Sequence, residues 1–102
     1  MLKHIVLMDA TDDAALDQIV AAMDILAALP GQIPGVLDFN HGPNLDFEGK
    51  SDRYAYGFVL SFADKAANDA YVVHPDHQRA GAILVASCKG GADGIFVADL
   101  EV

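Results

Sequence analysis

Apolar and polar positions along the chain change period several times, and each change predicts an element. Residues 3–9, KHIVLMD, are apolar and β-branched enough for a strand. Thr11 then offers an N-cap oxygen, with Asp12 and Asp13 placed where a helix dipole favours negative charge. From Ala14 the side chains Leu16, Ile19, Val20, Met23, Leu26 and Ala27 recur at helical spacing, and Asp17 and Asp24 fall on the opposite side. Pro30-Gly31 ends this helix, and Pro34-Gly35 begins a second turn. Residues 36–41, VLDFNH, predict another strand, and the polar stretch GPNLDFEGKSD predicts a loop.

Strict alternation is clearest over residues 53–62, where Tyr54, Tyr56, Phe58, Leu60 and Phe62 alternate with Ala55, Gly57, Val59 and Ser61. Asp64 caps a short helix running to about Tyr71. His74 precedes Pro75 and is pushed toward an extended conformation, which breaks the helix there. A further helix from about Asp76 carries Ile83, Leu84, Val85 and Cys88 until KGGADG stops it. The closing IFVADLEV predicts a fourth strand.

The order strand, helix, strand, strand, helix, strand is the split βαβ pattern of an α+β, ferredoxin-like protomer with its helices on one face of an antiparallel sheet. The strands are apolar on both sides. Val6 and Met8 back Ile5 and Leu7 in the first, and Phe96, Ala98 and Leu100 back Ile95 and Val97 in the last. Helices cover only one face, so the other is an interaction surface. A second copy packing sheet to sheet, as a two-fold homodimer, is the simplest cover.

Six Lys and Arg against fifteen Asp and Glu give a net charge of −9, which disfavours nucleic acid and anionic membranes as partners. Thirteen of the acids are Asp, scattered along the chain as a solvated acidic surface. Nothing approaches the roughly 20 apolar residues of a membrane span. Cys88 is the lone cysteine, so there is no internal disulfide, and a reducing, cytoplasmic setting fits. Residues 1–102 read as a single domain without repeats or a linker.

The chemistry-bearing segment is Tyr71 to His77, YVVHPDH, which sets a phenol and two imidazoles at a helix break. His77 falls in the first helical turn after Pro75, where the dipole disfavours imidazolium and leaves a ring able to accept a proton. The Tyr71 hydroxyl can polarise a carbonyl or hold an enolate. The plainer alternative is that Tyr71 packs at a helix end and both histidines make structural hydrogen bonds. A histidine metal site from His74 and His77, with His4 and His41, is opposed by Pro75 and by the lack of orienting carboxylates. Cys88 and Ser61 lack the surroundings of a nucleophile. In LPGQIPGV, main-chain oxygens at a helix end lose partners because proline has no N–H, and they are left for water or a hard cation.

The segments LKHIVLMD, LPGQIPGV, RYAYGFVLSF, YVVHPDHQ and FVADLEV together resemble the stress-responsive A/B barrel (Dabb) family over essentially the whole chain. The resemblance implies ferredoxin-like protomers paired through their sheets into a dimeric α+β barrel, some with stress-related roles. A few plant members are polyketide cyclases. By that resemblance Tyr71 and His77 are the acid–base pair, no cofactor is required, and His4, Tyr56 and His74 are substrate-binding, with Tyr56 standing where those cyclases have a further His. It also implies Mg2+ at the main-chain carbonyls of Pro30, Ile33 and Val36. Two readings follow. An enzyme or binding protein for a small apolar molecule needs Tyr71 and His77 to face a cavity of at least a few hundred Å³. A non-catalytic stress-response or assembly dimer has a filled pocket and both residues engaged by protein groups.

Overall fold

Strand β1 (Leu2–Met8) lies inside the sheet, and the computed structural model describes the chain around it from Met1 to Val102. Helix α1 (Asp13–Ala27) follows, then β2 (Val36–Pro43), β3 (Tyr56–Phe62), α2 (Lys65–Val72), α3 (Pro75–Ser87), a short 3-10 turn (Gly91–Gly94) and β4 (Ile95–Glu101). The sheet order is β2-β3-β1-β4 with every pairing antiparallel, which is the expected ferredoxin-like arrangement. His4 stands opposite Leu60 on β3 and opposite Asp99 on β4. That register fixes which side chains share a face.

On the covered face, Val6 and Met8 meet Tyr56, Phe58, Leu60 and Phe62, and all six are buried. Ile19, Met23 and Leu26 of α1 close over them with Tyr71 of α2 and Leu84 of α3. Val20 and Ala27, which the helical spacing places in the core stripe, are exposed. They fall at the stripe's edges, beyond the arc that the sheet covers.

Two local readings are corrected. The N-cap of α1 is Asp12, whose carboxylate accepts the Ala15 N–H at 2.7 Å, and not Thr11. Thr11 is held back because its own N–H donates to the Ser87 carbonyl. Strand β3 begins at Tyr56 instead of residue 53. Before it, the Tyr54 N–H closes a turn onto the Ser51 carbonyl, Arg53 pairs with the buried carboxylate of Asp9 at 3.2 Å, and the Tyr54 ring packs on Phe96. Pro75 breaks the second helical region as expected, and α2 and α3 are separate helices two residues apart. Asp64 caps α2 as the sequence predicts, accepting the Ala67 N–H at 3.0 Å.

The opposite face of the sheet carries Ile5, Leu7, Val59, Phe96, Ala98 and Leu100, with Phe96 and Leu100 about half exposed. Alternation along four strands makes this unavoidable, since all three helices lie on the other side. No helix is long and apolar enough to cross a membrane.

Candidate functional site

Three strands, β1, β3 and β4, and all three helices line one cavity on the covered face. Val72 ends α2, and His74 in extended conformation turns the chain so that α3 starts at Pro75. The His74 ring caps the new helix, its Nδ1 accepting the Asp76 N–H at 3.1 Å. This places Tyr71 on the last turn of one helix against His77 on the first turn of the next, with ring centroids 4.2 Å apart. His4 of β1 completes the group, edge-on to Tyr71 at 5.7 Å.

The cavity has a volume of about 170 Å³ and is lined chiefly by apolar side chains, among them Leu26, Phe58, Leu84 and Ile95. Its polar lining is His4, Tyr71 and His77. The mouth lies between α3 and β4, where Val85 and Val97 stay 44% and 50% exposed. The volume falls below the few hundred Å³ of an ordinary ligand site and is close to that of cavities that hold a single benzene ring.

Tyr71 is 1% exposed, and its hydroxyl has no partner within the protein. No fully buried side-chain oxygen or nitrogen in the chain lacks a partner. The hydroxyl therefore retains contact with the cavity. Burial raises the Tyr71 pKa well above the ordinary phenol value, so the group remains a proton donor.

His77 is set up in the opposite sense. Burial lowers its pKa from the ordinary imidazole value; the Val72 carbonyl opposes this, and the neighbouring His4 and His74 add to it. Burial thus acts in the same direction as the helix dipole that the sequence places there. The Val72 carbonyl can only accept, so His77 Nδ1–H donates to it at 3.0 Å and Nε2 carries the free lone pair. His4 Nδ1–H donates to the Asp99 carboxylate at 2.7 Å, which orients the ring and leaves Nε2 without a protein partner. The site thus offers a hydroxyl donor at Tyr71, an imidazole acceptor at His77 and a second imidazole at His4, at the edge of an apolar chamber.

Among the residues expected in the pocket, His4, Tyr71 and His77 come together there. Tyr56 and His74 do not line it. The Tyr56 hydroxyl is bound to His41 Nδ1 at 2.6 Å, and the His74 ring is occupied as the α3 cap. Asp99 was absent from the sequence reading, although pairing the first strand with the last by their alternation puts it opposite His4. Pro30, Ile33 and Val36 also lie outside the cavity lining. The Ile33 carbonyl already accepts the Val36 N–H at 3.0 Å, and LPGQIPGV contains no carboxylate. An ion there would be held by neutral main-chain oxygens alone. Elsewhere, no three His, Cys, Asp or Glu side chains are grouped to hold a metal ion.

No curated protein matches the chain. Among solved structures, a dimeric ferredoxin-like protein of unknown function from Jannaschia sp. CCS1 is 58% identical, with a TM-score of 0.95 over 99% of this chain and 98% of its own. A dimeric ferredoxin-like protein of unknown function from Thermobifida fusca is 24% identical, with a TM-score of 0.78 over 99% and 90%. The hydroxynitrile lyase of Passiflora edulis is 17% identical, with a TM-score of 0.75 over 99% and 92%, and shares the fold. The stress responsive A/B barrel domain matches residues 2–102, and the chain belongs to that family.

Proposed function

We propose that the protein is a homodimer, paired through the open sheet face, whose cavity binds and transforms a small neutral carbonyl compound by Tyr71 and His77 acid–base chemistry of the polyketide-cyclase type. The observation that carries this is the Tyr71 hydroxyl, free of any protein partner and set beside an imidazole with a free Nε2. His77 Nε2 takes a proton from the carbon next to the carbonyl, and the electron pair moves onto oxygen. The Tyr71 O–H holds the enolate that results. His4 orients the ligand through its own Nε2. This proton traffic requires no cofactor. Mg2+ at the main-chain carbonyls of Pro30, Ile33 and Val36 would take no part in this proton traffic, because those residues lie outside the cavity lining.

The lining contains no Lys or Arg, and His77 resists protonation, so anionic ligands are disfavoured. The volume admits about one ring with a short substituent. The dimeric state of the Jannaschia protein at 58% identity supports the pairing, as do the half-exposed Phe96 and Leu100. A cytoplasmic setting suits the buried free thiol of Cys88.

Acetophenone is a suitable probe, being neutral, ring-sized and exchangeable at its methyl group. In D₂O the protein should accelerate loss of the methyl proton NMR signal, and Tyr71→Phe and His77→Gln should each remove the acceleration. A folded protein with no acceleration, and no shift of the Tyr71 or His77 signals by the probe, would reject the reading. That result would favour the non-catalytic stress-response or assembly reading.

A further inference from the structure

The loop between β2 and β3 holds an aromatic side chain out in water. Phe47 is 91% exposed and Leu45 66%. Exposure of this size usually accompanies a loosely held segment, but this loop is fastened from inside. Asn44 Nδ2 donates to the Ser51 hydroxyl and to the carbonyls of Ser51 and Tyr54. Asp46 Oδ1 accepts the N–H groups of Lys50 and Ser51 and the Ser51 hydroxyl. Asp46 itself holds a left-handed φ of +45°. A rigid frame that presents a phenylalanine lowers the entropic cost of placing that ring against something else.

The loop and the open sheet face together bound a groove of about 640 Å³, with Leu45 and Phe47 on its loop side and Ile5, Leu7 and Val59 as its floor. Gly42 and Gly57 are cross-strand partners in it, so one row of the β2–β3 ladder has no side chains. Leu7 leans over Gly57, with Cδ2 2.7 Å from where a Cβ would lie, but nothing comes within 4 Å of a Cβ at Gly42. A paired glycine row in a sheet marks a place where another group can approach closely.

We infer that Phe47 is an anchor for a second copy of this chain, each ring entering the partner's groove at the Gly42–Gly57 row. The occupant is a second copy because knob and slot lie on one continuous surface of one chain. A two-fold contact requires that self-complementarity, since each patch meets its own copy. The slot also continues into the Ile5, Leu7 and Val59 face that the proposed dimer covers. The inference rests on that sheet-to-sheet pairing and adds the loop to it.

Sedimentation equilibrium of the full chain tests it, with far-UV circular dichroism as a check on folding. Phe47→Ala should weaken dimerisation at least about tenfold, as truncation of a buried aromatic anchor does. Gly42→Val should do likewise by filling the slot. The double variant should be little worse than the poorer single one, because both remove the same contact. A parent dimer whose dissociation constant is unchanged by Phe47→Ala would overturn the anchor, assign Phe47 to some other partner and leave the sheet pairing standing. A parent chain that stays monomeric at high micromolar concentration would overturn both.

Discussion

Replacing Tyr71 by Phe removes a single oxygen from a side chain that is 1% exposed, and the sign of the stability change follows from what that oxygen touches. If it were bonded to a protein group, deletion would lose a net of about 0.5–1.5 kcal/mol and strand the partner at a further ~1–3 kcal/mol. Here the hydroxyl has no protein partner. Removing it relieves a partly desolvated polar group, so the variant should be between equal in stability and about 1 kcal/mol more stable. At this chain length that corresponds to a rise in Tm of at most about 4–8 °C. Tyr71→Ala is the contrast. Its ring lies 5.3 Å from Phe62 and 4.2 Å from His77, and deleting it should cost about 3–5 kcal/mol. Urea unfolding followed by circular dichroism measures both variants, at one fixed protein concentration because dimerisation feeds into apparent stability. Destabilisation of Tyr71→Phe by more than about 1 kcal/mol would refute the reasoning, since the hydroxyl would then be holding the fold together.

Gly35→Ala should cost about 2–4 kcal/mol, because φ is +85° and the new Cβ would lie 2.7 Å from the Ala67 Cβ. Gly31→Ala, at φ +86° with nothing within 4 Å, should cost only about 1–2 kcal/mol in the same denaturation series. Asp12→Ala should lose about 1 kcal/mol of stability and Thr11→Ala almost none, a difference that thermal melts resolve. His77 titrates lower in the folded chain than in the unfolded one, so the unfolded chain takes up its proton first as pH falls. Stability present above the ordinary imidazole value should therefore decline as pH drops from there toward the folded value. Plotted against pH, His77→Gln should show a shallower decline than the parent, and equal slopes would count against the burial of that ring.

The alternation of Phe58, Leu60 and Phe62 and the helical spacing of Ile19, Met23 and Leu26 report directly on burial, so the fold was readable from them. The boundaries were less so. Arg53 and Tyr54 continue the alternating pattern, but they are drawn out of the strand by Asp9 and Phe96, which lie far away in sequence. In the candidate site, YVVHPDH exposed Tyr71 and His77 through the proline break. What stayed hidden was the set of partners that decides each ring's role. His74 and Tyr56 are identical in type to groups that could bind a ligand, and only the Asp76 N–H and His41 show that they are already engaged. The glycine row beneath the Phe47 groove needed the β2–β3 register, which includes an irregularity between Val36 and Asp38 that no periodicity reveals.

Strands β1 and β4 pair along their whole length although they occupy opposite ends of the sequence, and the His4–Asp99 contact spans 95 positions. Such a contact carries a large loop-closure entropy and a high contact order, so the β4 edge should dock late in folding. Ile95 and Val97 then complete the cavity wall after Tyr71 and His77, six positions apart, have been brought together by a local helix break. A circular permutant that joins the two ends and opens the chain between Gly90 and Gly91 would make β4 and β1 sequence neighbours. It should fold faster than the parent and reach the same cavity by a route in which that wall is built first.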